Sequence, residues 1–185
     1  MQKTLKLFSI LSVLVALPVF AGSLTLSSND IAAGELMNQK HEFNGFGCSG
    51  SDLSPQLSWS SPPEGTKSFA VTAYDPDAPT GSGWWHWQII NIPATVTTLA
   101  TDAGSTKENL APAGSLQIQN DYGTNGFGGA CPPQGHGQHR YRFTLHALSV
   151  EKIDLPANAS GALTGYMINA NTIASSTIES LYQRD

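Results

Sequence analysis

The segment from residue 140 to residue 150 alternates apolar and polar side chains along its whole length, and this alternation constrains the fold more than any other feature of the sequence. In a β-strand, successive side chains point to opposite faces. One face would carry Tyr141, Phe143, Leu145 and Ala147, and the other would carry Arg142, Thr144 and His146. The pattern therefore predicts a strand with one buried face.

Similar short segments recur along the chain, separated by Gly, Pro, Asn and Asp residues that favour turns. They predict further antiparallel strands at residues 23–26, 56–59, 69–74, 86–92, 116–119 and 177–182. One short helix is predicted near the C-terminus, where Ser160 can cap a segment with an apolar stripe formed by Leu163, Met167, Ala170 and Ile173. The predicted fold class is therefore mainly β, with a short C-terminal helix.

The length and charge of the chain limit the classes of protein to consider. Its 185 residues are close to the size of one domain, and no linker, repeat or low-complexity tract divides them. Charged residues make up only 12% of the chain, and the net charge is −5. Non-specific binding to nucleic acids depends on clustered Lys and Arg. The composition therefore argues against a nucleic-acid partner and against a charged disordered tail.

Residues 1–21 have the pattern of a secretory signal peptide. Two lysines give a positive start, an apolar stretch follows, and small residues precede a cleavage position before Gly22. A membrane anchor is the alternative, but the apolar stretch is short for a bilayer of about 30 Å and is interrupted by Pro18. We therefore expect a cleaved leader, a mature domain of residues 22–185, and a periplasmic location, with release outside the cell as a further option.

Cys48 and Cys131 are the two cysteines of the chain. Neither has a CxxC partner or a histidine at a spacing suited to zinc. Export places them in an oxidising compartment, which favours one disulfide between them. Two buried free thiols are the alternative.

Four segments combine turn residues with titratable or aromatic side chains, and each comes at the end of a predicted strand: residues 75–79, 83–87, 126–133 and 139–141. Together, their two histidines, two carboxylates, tyrosine hydroxyl and glycine amides could form a small polar pocket with indoles at its rim. Taken singly, these residues have plainer explanations. A strand histidine, turn aspartates and core tryptophans are all common.

In this order, the four segments resemble the phosphatidylethanolamine-binding protein family, and in particular its bacterial branch. The matching motifs are Asp-Pro-Asp-Ala-Pro from residue 75, Trp-Trp-His-Trp from residue 84, Gly-Gly-Ala-Cys-Pro-Pro from residue 128 and His-Arg-Tyr from residue 139. The resemblance extends over essentially the whole mature chain. It implies a Greek-key β-sandwich with a short C-terminal helix and a surface pocket that binds small anions, such as phosphate, acetate or a phospholipid headgroup, without turnover.

The resemblance also implies a set of ligand-binding residues: Asp75, Asp77, His86, Gly129, Pro133, His139 and Tyr141, with Trp84 at the rim. It implies no metal and no organic cofactor. Two positions depart from many eukaryotic members of the family. A pocket glycine before the two prolines is Cys131 here, and a pocket tyrosine has no counterpart between Thr80 and Gly83.

The chemistry of these side chains gives several of them a role with an anion. Protonated His86 or His139, the Tyr141 hydroxyl and amides near Gly129 could donate hydrogen bonds to a phosphate. A nearby aspartate could accept the second N–H of a histidine and favour its charged form. We therefore expect weak binding that strengthens as the pH falls towards the histidine range.

An enzyme is the main rival class of function. A hydrolase could use Asp75 with Asp77 as an acid–base pair, or Ser82 with His86 as nucleophile and base. The sequence contains no nucleophile-elbow, zincin or phosphate-loop motif. We therefore expect no catalytic activity.

A protein-interaction module is a third class, because the resemblance includes eukaryotic proteins associated with inhibition of kinases and proteases. An extracytoplasmic partner, or a second copy of the chain in a homodimer, could dock on Trp84, Trp85 and Trp87. Regular alternation predicts that Trp85 and Trp87 share one face of their strand, with His86 on the other.

Overall fold

Ten strands and one α-helix form the described part of the structure, a computed structural model that covers residues 23–185. The strands are β1 (Thr25–Ser27), β2 (Asn44–Gly45), β3 (Cys48–Ser49), β4 (Leu57–Ser60), β5 (Ser68–Asp75), β6 (Trp84–Pro93), β7 (Thr98–Leu99), β8 (Leu116–Gln117), β9 (His139–Leu148) and β10 (Thr172–Tyr182), and the helix is α1 (Gly161–Asn171). A single 3-10 turn spans Gln39–His41. The predicted leader lies outside the described residues.

Two antiparallel sheets enclose the main hydrophobic core. The larger sheet has the strand order β10-β9-β5-β6-β8, the smaller has the order β1-β4-β7, and β2 and β3 form a separate hairpin. Leu57 and Trp59 of the smaller sheet belong to the same buried cluster as Phe69 and Val71 of the larger one. The prediction of a mainly β fold with a short C-terminal helix is confirmed.

The alternation in β9 places its side chains as predicted. Tyr141, Phe143 and Leu145 are buried in the core between the sheets, while Arg142 and Thr144 on the opposite face are partly exposed. The seven predicted strands all form, with ends that differ by a few residues. β2, β3 and β7 were not predicted, because two residues are too few to show a period.

The prediction that Trp85 and Trp87 share a face is wrong. Ala73 pairs with Trp87 and Tyr74 pairs with Trp85, so one extra residue on β6, His86, forms a β-bulge. Trp87 is fully buried in the core between the sheets, whereas Trp85 packs against Tyr74 on the outer face. Because the bulge interrupts the alternation, His86 contacts the core side, where its ring lies 5.1 Å from that of Tyr141.

Helix α1 covers the outer face of the larger sheet, where a second apolar cluster includes Ala70, Ile90 and Ile168. Ser160 caps the helix as predicted, since its side chain accepts a hydrogen bond from the amide of Leu163. The predicted apolar stripe is wrong, because the buried residues of α1 are Gly161, Thr164 and Ile168, while Leu163, Ala170 and Ile173 are exposed. Small residues face the sheet because the ring of Trp85 lies directly against the backbone of Gly161. None of the helices in residues 23–185 has the length and apolarity needed to cross a membrane.

Candidate functional site

A cavity of about 290 Å³ lies at one end of the larger sheet, where β5 ends and where β6 and β9 begin. These antiparallel strands bring three of the four motif segments together, and the segment before β9 closes the cavity. Its lining consists of Phe46, Asp75, Ala78, Pro79, Thr80, Trp84, His86, Tyr122, Cys131, Pro132, Pro133, His139, Tyr141 and Arg184.

Six of the eight residues predicted to bind a ligand lie on this lining, namely Asp75, Trp84, His86, Pro133, His139 and Tyr141. Asp77 and Gly129 lie outside it, and each has a polar partner elsewhere. Both carboxylate oxygens of Asp77 accept hydrogen bonds from Arg140, at 2.9 and 2.7 Å, and this ion pair lowers the pKa of Asp77 to about 2. The amide of Gly129 donates to Oδ1 of Asp52 at 2.6 Å, so it is not free to bind an anion.

Asp75 and His139 form a buried pair at the base of the cavity. Nδ1 of His139 lies 2.7 Å from Oδ2 of Asp75, and both side chains are almost completely buried. The second oxygen of Asp75 accepts hydrogen bonds from the amides of Asp77 and Ala78. The carboxylate therefore fixes the ring of His139, as expected for a histidine oriented by an aspartate, and Nε2 of that ring contacts Nδ1 of His136 at 2.7 Å.

His86 is buried, and its ring is oriented by a backbone carbonyl. Its Nδ1 lies 2.7 Å from the carbonyl oxygen of Gly128, which can only accept a hydrogen bond, so Nδ1 carries a hydrogen. Burial lowers the pKa of His86, because the charged imidazolium loses its hydration. Burial therefore disfavours the cationic form of His86 that the sequence suggested, and Nδ1 is committed to Gly128 rather than to a ligand.

Two hydrogen-bond donors on the lining are buried and have no partner within residues 23–185: the hydroxyl of Tyr141 and the indole N–H of Trp84. Burial raises the pKa of Tyr141 far above its usual range, so this hydroxyl keeps its proton. Buried polar groups in native proteins normally have partners. Both donors are therefore available to an acceptor placed in the cavity.

Arg184 supplies a positive charge to the lining. Its guanidinium donates to the carbonyl oxygens of Gly47, at 2.6 Å, and of Pro132, at 3.3 Å. No carboxylate of residues 23–185 lies within ion-pair distance of it. The charge is therefore available to an anion at the mouth of the cavity.

An aromatic cluster forms one wall. Tyr122 stacks on Phe43 with ring centroids 3.9 Å apart, and it also contacts Phe46, Trp84 and His86. The Tyr122 hydroxyl donates to the carbonyl of Gly129 at 3.0 Å. Tyr122, Phe46 and Arg184 were not predicted, because none of them belongs to the four motif segments, although Tyr122 lies only a few residues before the segment that begins at residue 126.

The predicted disulfide is present between Cys48 and Cys131, whose Cα atoms are 6.0 Å apart. It joins the β2–β3 hairpin to the segment that carries Pro132 and Pro133, so it ties together two sides of the cavity mouth. Disulfides of this kind are typical of exported proteins and rare in the reducing cytosol.

The two candidate pairs for hydrolysis are not assembled. Asp75 is bound to His139 and Asp77 to Arg140, so the carboxylates do not face a shared substrate position. Ser82 is exposed and lies outside the lining that contains His86. Within residues 23–185, no group of three or more His, Cys, Asp or Glu side chains is arranged to hold a metal ion.

The three tryptophans of the proposed docking surface differ in exposure. Trp87 is fully buried, Trp85 packs between Tyr74 and α1, and the indole nitrogen of Trp84 is buried at the cavity. Trp84 and Trp85 are partly exposed, so they are the two that a partner could contact.

Comparison with known proteins agrees with this geometry. The family model described as "Phosphatidylethanolamine-binding protein" matches residues 27–183. YbcL of Escherichia coli (strain K12) is 52% identical over 182 residues, which is 98% of this chain and 99% of YbcL. YbhB of the same strain is 47% identical over 157 residues, which is 85% of this chain and 98% of YbhB.

The crystal structure of E. coli YbcL superposes on this fold with a TM-score of 0.87 at 55% identity, covering 89% of this chain and 100% of YbcL. The family match spans nearly all of the described residues, and the similarity extends over the whole fold. The chain belongs to the phosphatidylethanolamine-binding protein family.

Proposed function

We propose that this protein is an exported, non-catalytic binding protein that holds a phosphate group or another small anion in the cavity beside Asp75 and His139. The ligand carries its negative charge towards Arg184 and accepts hydrogen bonds from Tyr141 and Trp84. The mature protein, residues 22–185, works in the periplasm after removal of the leader.

The buried, unpartnered donors of Tyr141 and Trp84 carry this proposal. Leaving a buried donor unsatisfied destabilises the fold by about 1 to 3 kcal/mol, so two of them on one lining are best explained by a bound acceptor. Arg184 adds a charge that no carboxylate neutralises in the described part of the chain, which favours an anionic acceptor over a neutral one.

The size of the cavity limits the ligand. Pockets for drug-sized molecules usually measure about 300 to 1,000 Å³. At about 290 Å³, this cavity accommodates a phosphate with a short organic group. A lipid would therefore place its headgroup inside and its chains outside the protein.

Binding without turnover follows from the partners of the titratable groups. A nucleophile or general base needs a free atom that faces the substrate. The carboxylate of Asp75 is bound to His139 and that of Asp77 to Arg140, and Ser82 is exposed and does not belong to the lining. Export is supported by the signal-like leader and by the disulfide.

A titration followed by NMR tests the proposal. Mature protein is titrated with inorganic phosphate and with O-phosphorylethanolamine, and the imidazole signals of His86 and His139 are followed. Ethanolamine, which lacks the anion, is the ligand control. We expect saturable shifts with both phosphate compounds and none with ethanolamine.

The variant Tyr141→Phe tests whether the Tyr141 hydroxyl donates a hydrogen bond to the bound anion. Removing a hydrogen bond to a charged group weakens binding by about 1.5 to 3 kcal/mol, or roughly ten- to a hundredfold in affinity. Tyr74→Phe is the matched control, because the Tyr74 hydroxyl bonds to the carbonyl of Ser82 and lies outside the lining. Equal affinities of the two variants, or no saturable shift in the parent protein, would contradict the proposal.

An inhibitory or scaffolding interaction with an extracytoplasmic protein is the second candidate. Phe46 favours it, because this aromatic side chain is 76% exposed at the rim of the cavity and sits in a turn with φ of 52°. Exposed aromatic residues are common anchors in protein interfaces. If no anion binds, docking of a protein partner at Phe46 becomes the better explanation of this exposed rim.

A further inference from the structure

Both ring nitrogens of His139 already have partners. Nδ1 contacts the carboxylate of Asp75 at 2.7 Å, and Nε2 contacts Nδ1 of His136 at 2.7 Å. His139 lies on the cavity lining, whereas His136 does not. In this arrangement His139 has no free donor for a ligand in the cavity.

The two partners of His139 are held very differently. Asp75 is 3% exposed, and its other oxygen is fixed by two backbone amides. His136 is exposed and lies in a loop between two glycines, Gly135 with φ of 73° and Gly137 with φ of 89°. No atom comes within 4 Å of the position that a Cβ would take on either glycine. The loop therefore has open space around it, and His136 is the partner that can leave.

The hydrogens shared by Asp75, His139 and His136 determine whether His139 can donate a hydrogen bond to a ligand. A hydrogen bond between two ring nitrogens needs one donor and one acceptor. The hydrogen on Nδ1 of His139 is committed to Asp75. Nε2 therefore either accepts from His136 or donates to it, and in both cases it is unavailable to an anion while His136 stays in place.

We infer that His136 is an internal competitor for the anion site: it occupies Nε2 of His139, and a bound phosphate group gains the His139 hydrogen bond only by displacing it. This inference rests on the proposed function of the cavity. It assigns to the loop of residues 134–138 the role of setting the affinity of the site, while Arg184, Tyr141 and Trp84 provide the contacts.

The main chain connects this loop to the cavity. The amide of Gly135 donates to the carbonyl of Arg184 at 3.0 Å, and the side chain of Gln134 donates to the carbonyl of Asp185 at 2.6 Å. Arg184 therefore contributes its cationic side chain to the cavity and, through its backbone carbonyl, also holds the loop of residues 134–138. Displacement of His136 can occur within the loop, between the two glycines, without loss of either anchor.

The variant His136→Ala tests the inference, with Gln138→Ala as the matched control. Gln138 is an exposed residue of the same loop and lies outside the lining. The parent protein and both variants are titrated at pH 7 with inorganic phosphate and with O-phosphorylethanolamine. A chelator is present, so that no metal ion shared by two imidazoles contributes.

We expect the His136→Ala protein to bind both compounds roughly three- to tenfold more tightly than the parent, because the part-buried hydrogen bond between the two imidazoles no longer has to be broken. Gln138→Ala should match the parent. In the parent, saturating phosphate should also shift the imidazole signals of His136 as it leaves His139. Before any ligand is added, the His139 ring signals should differ between His136→Ala and the parent, but not between Gln138→Ala and the parent.

Each other result overturns the inference. Equal, measurable affinities in all three proteins would show that His136 does not compete, and the proposed function would stand. Weaker binding by His136→Ala would make His136 a direct ligand. Absence of saturable binding in all three proteins would remove the proposed function, and the inference with it.

Discussion

Asp75 and Asp77 lie only two residues apart, yet one is buried against His139 and the other is at the surface against Arg140. The side chains of the first pair are 4% and 2% exposed, and those of the second are 27% and 43% exposed. Because hydration screens the outer pair but not the inner one, the same substitution has very different effects at the two positions.

We predict that Asp75→Asn lowers the free energy of unfolding by about 3 kcal/mol. Asparagine has only one side-chain oxygen, so it cannot accept hydrogen bonds both from His139 and from the backbone amides of the turn. Asp77→Asn should lower it by at most about 1 kcal/mol. Urea denaturation of both variants at pH 7 measures the difference. Similar losses for the two variants would contradict the contrast in burial.

Asp52 makes stability depend on pH in an unusual direction. Burial raises its pKa to about 6, so the folded state takes up a proton at a higher pH than the unfolded chain does. Its contribution is favourable below the unfolded pKa of about 3.9 and is lost as the pH rises through about 6. Asp52→Asn keeps an acceptor for the amide of Gly129 but carries no charge.

We therefore predict that Asp52→Asn is more stable than the parent at pH 7, by about 1 to 2 kcal/mol because solvent partly screens this carboxyl, and that the two proteins converge near pH 4. The difference between their unfolding free energies, measured from pH 4 to pH 7.5, isolates Asp52 from other titrating groups, including the buried His86. A difference that does not change with pH would show that the charge of Asp52 is not the cause.

Two glycines of α1 respond in opposite directions to the same substitution. A Cβ on Gly161 would lie 2.3 Å from Cδ1 of Trp85, whereas a Cβ on Gly165 would have its nearest neighbour, Cζ2 of Trp85, at 3.5 Å. Gly161→Ala should destabilise the protein by about 1 to 3 kcal/mol through overpacking. Gly165→Ala should stabilise it by about 0.5 to 1 kcal/mol, because alanine favours the helix. Thermal unfolding of both variants checks the signs, and a loss of stability in Gly165→Ala would contradict the packing described here.

Reduction of the disulfide should destabilise the fold. The bond joins residues that are 83 positions apart, and closing a loop of that length stabilises a protein by about 4 kcal/mol when the main effect is on the unfolded chain. Urea denaturation with and without a dithiol measures the loss. The double variant Cys48→Ala with Cys131→Ala should already show it and should not respond to the dithiol. Unchanged stability on complete reduction would argue against this effect.

The strands were predictable because their signal is local. In β9 the alternating residues Tyr141, Phe143, Leu145 and Ala147 face the core, and the alternation alone is enough to show it. The face of Trp87 was not predictable, because the bulge at His86 arises from pairing between β5 and β6 and leaves no mark in the periodicity. The buried stripe of α1 was missed for a similar reason: the fit of Gly161 against Trp85 is a property of two distant segments.

The candidate site was likewise predictable where its residues belong to local motifs, and not where they depend on contacts between distant segments. The motifs identified most of the lining, because strand ends bring them together. They did not show that Arg140 binds Asp77, because a motif does not tell which of its side chains pair with each other, or that Asp52 accepts from the amide of Gly129, because Asp52 lies outside the motifs. Arg184 has no local pattern at all and is recognised only through its contacts with Gly47 and Pro132.

The bulge at His86 makes this part of the chain sensitive to length. It allows His86 and Trp87 to lie on the same side of the sheet, one at the cavity and the other in the core. Deleting His86 would remove the extra residue and make the pairing of β5 with β6 regular, with Trp85 still on the outer face and Trp87 still in the core. The cavity would then lose its histidine while the core kept its tryptophan, so the bulge adds a cavity residue to this strand at no cost to the core.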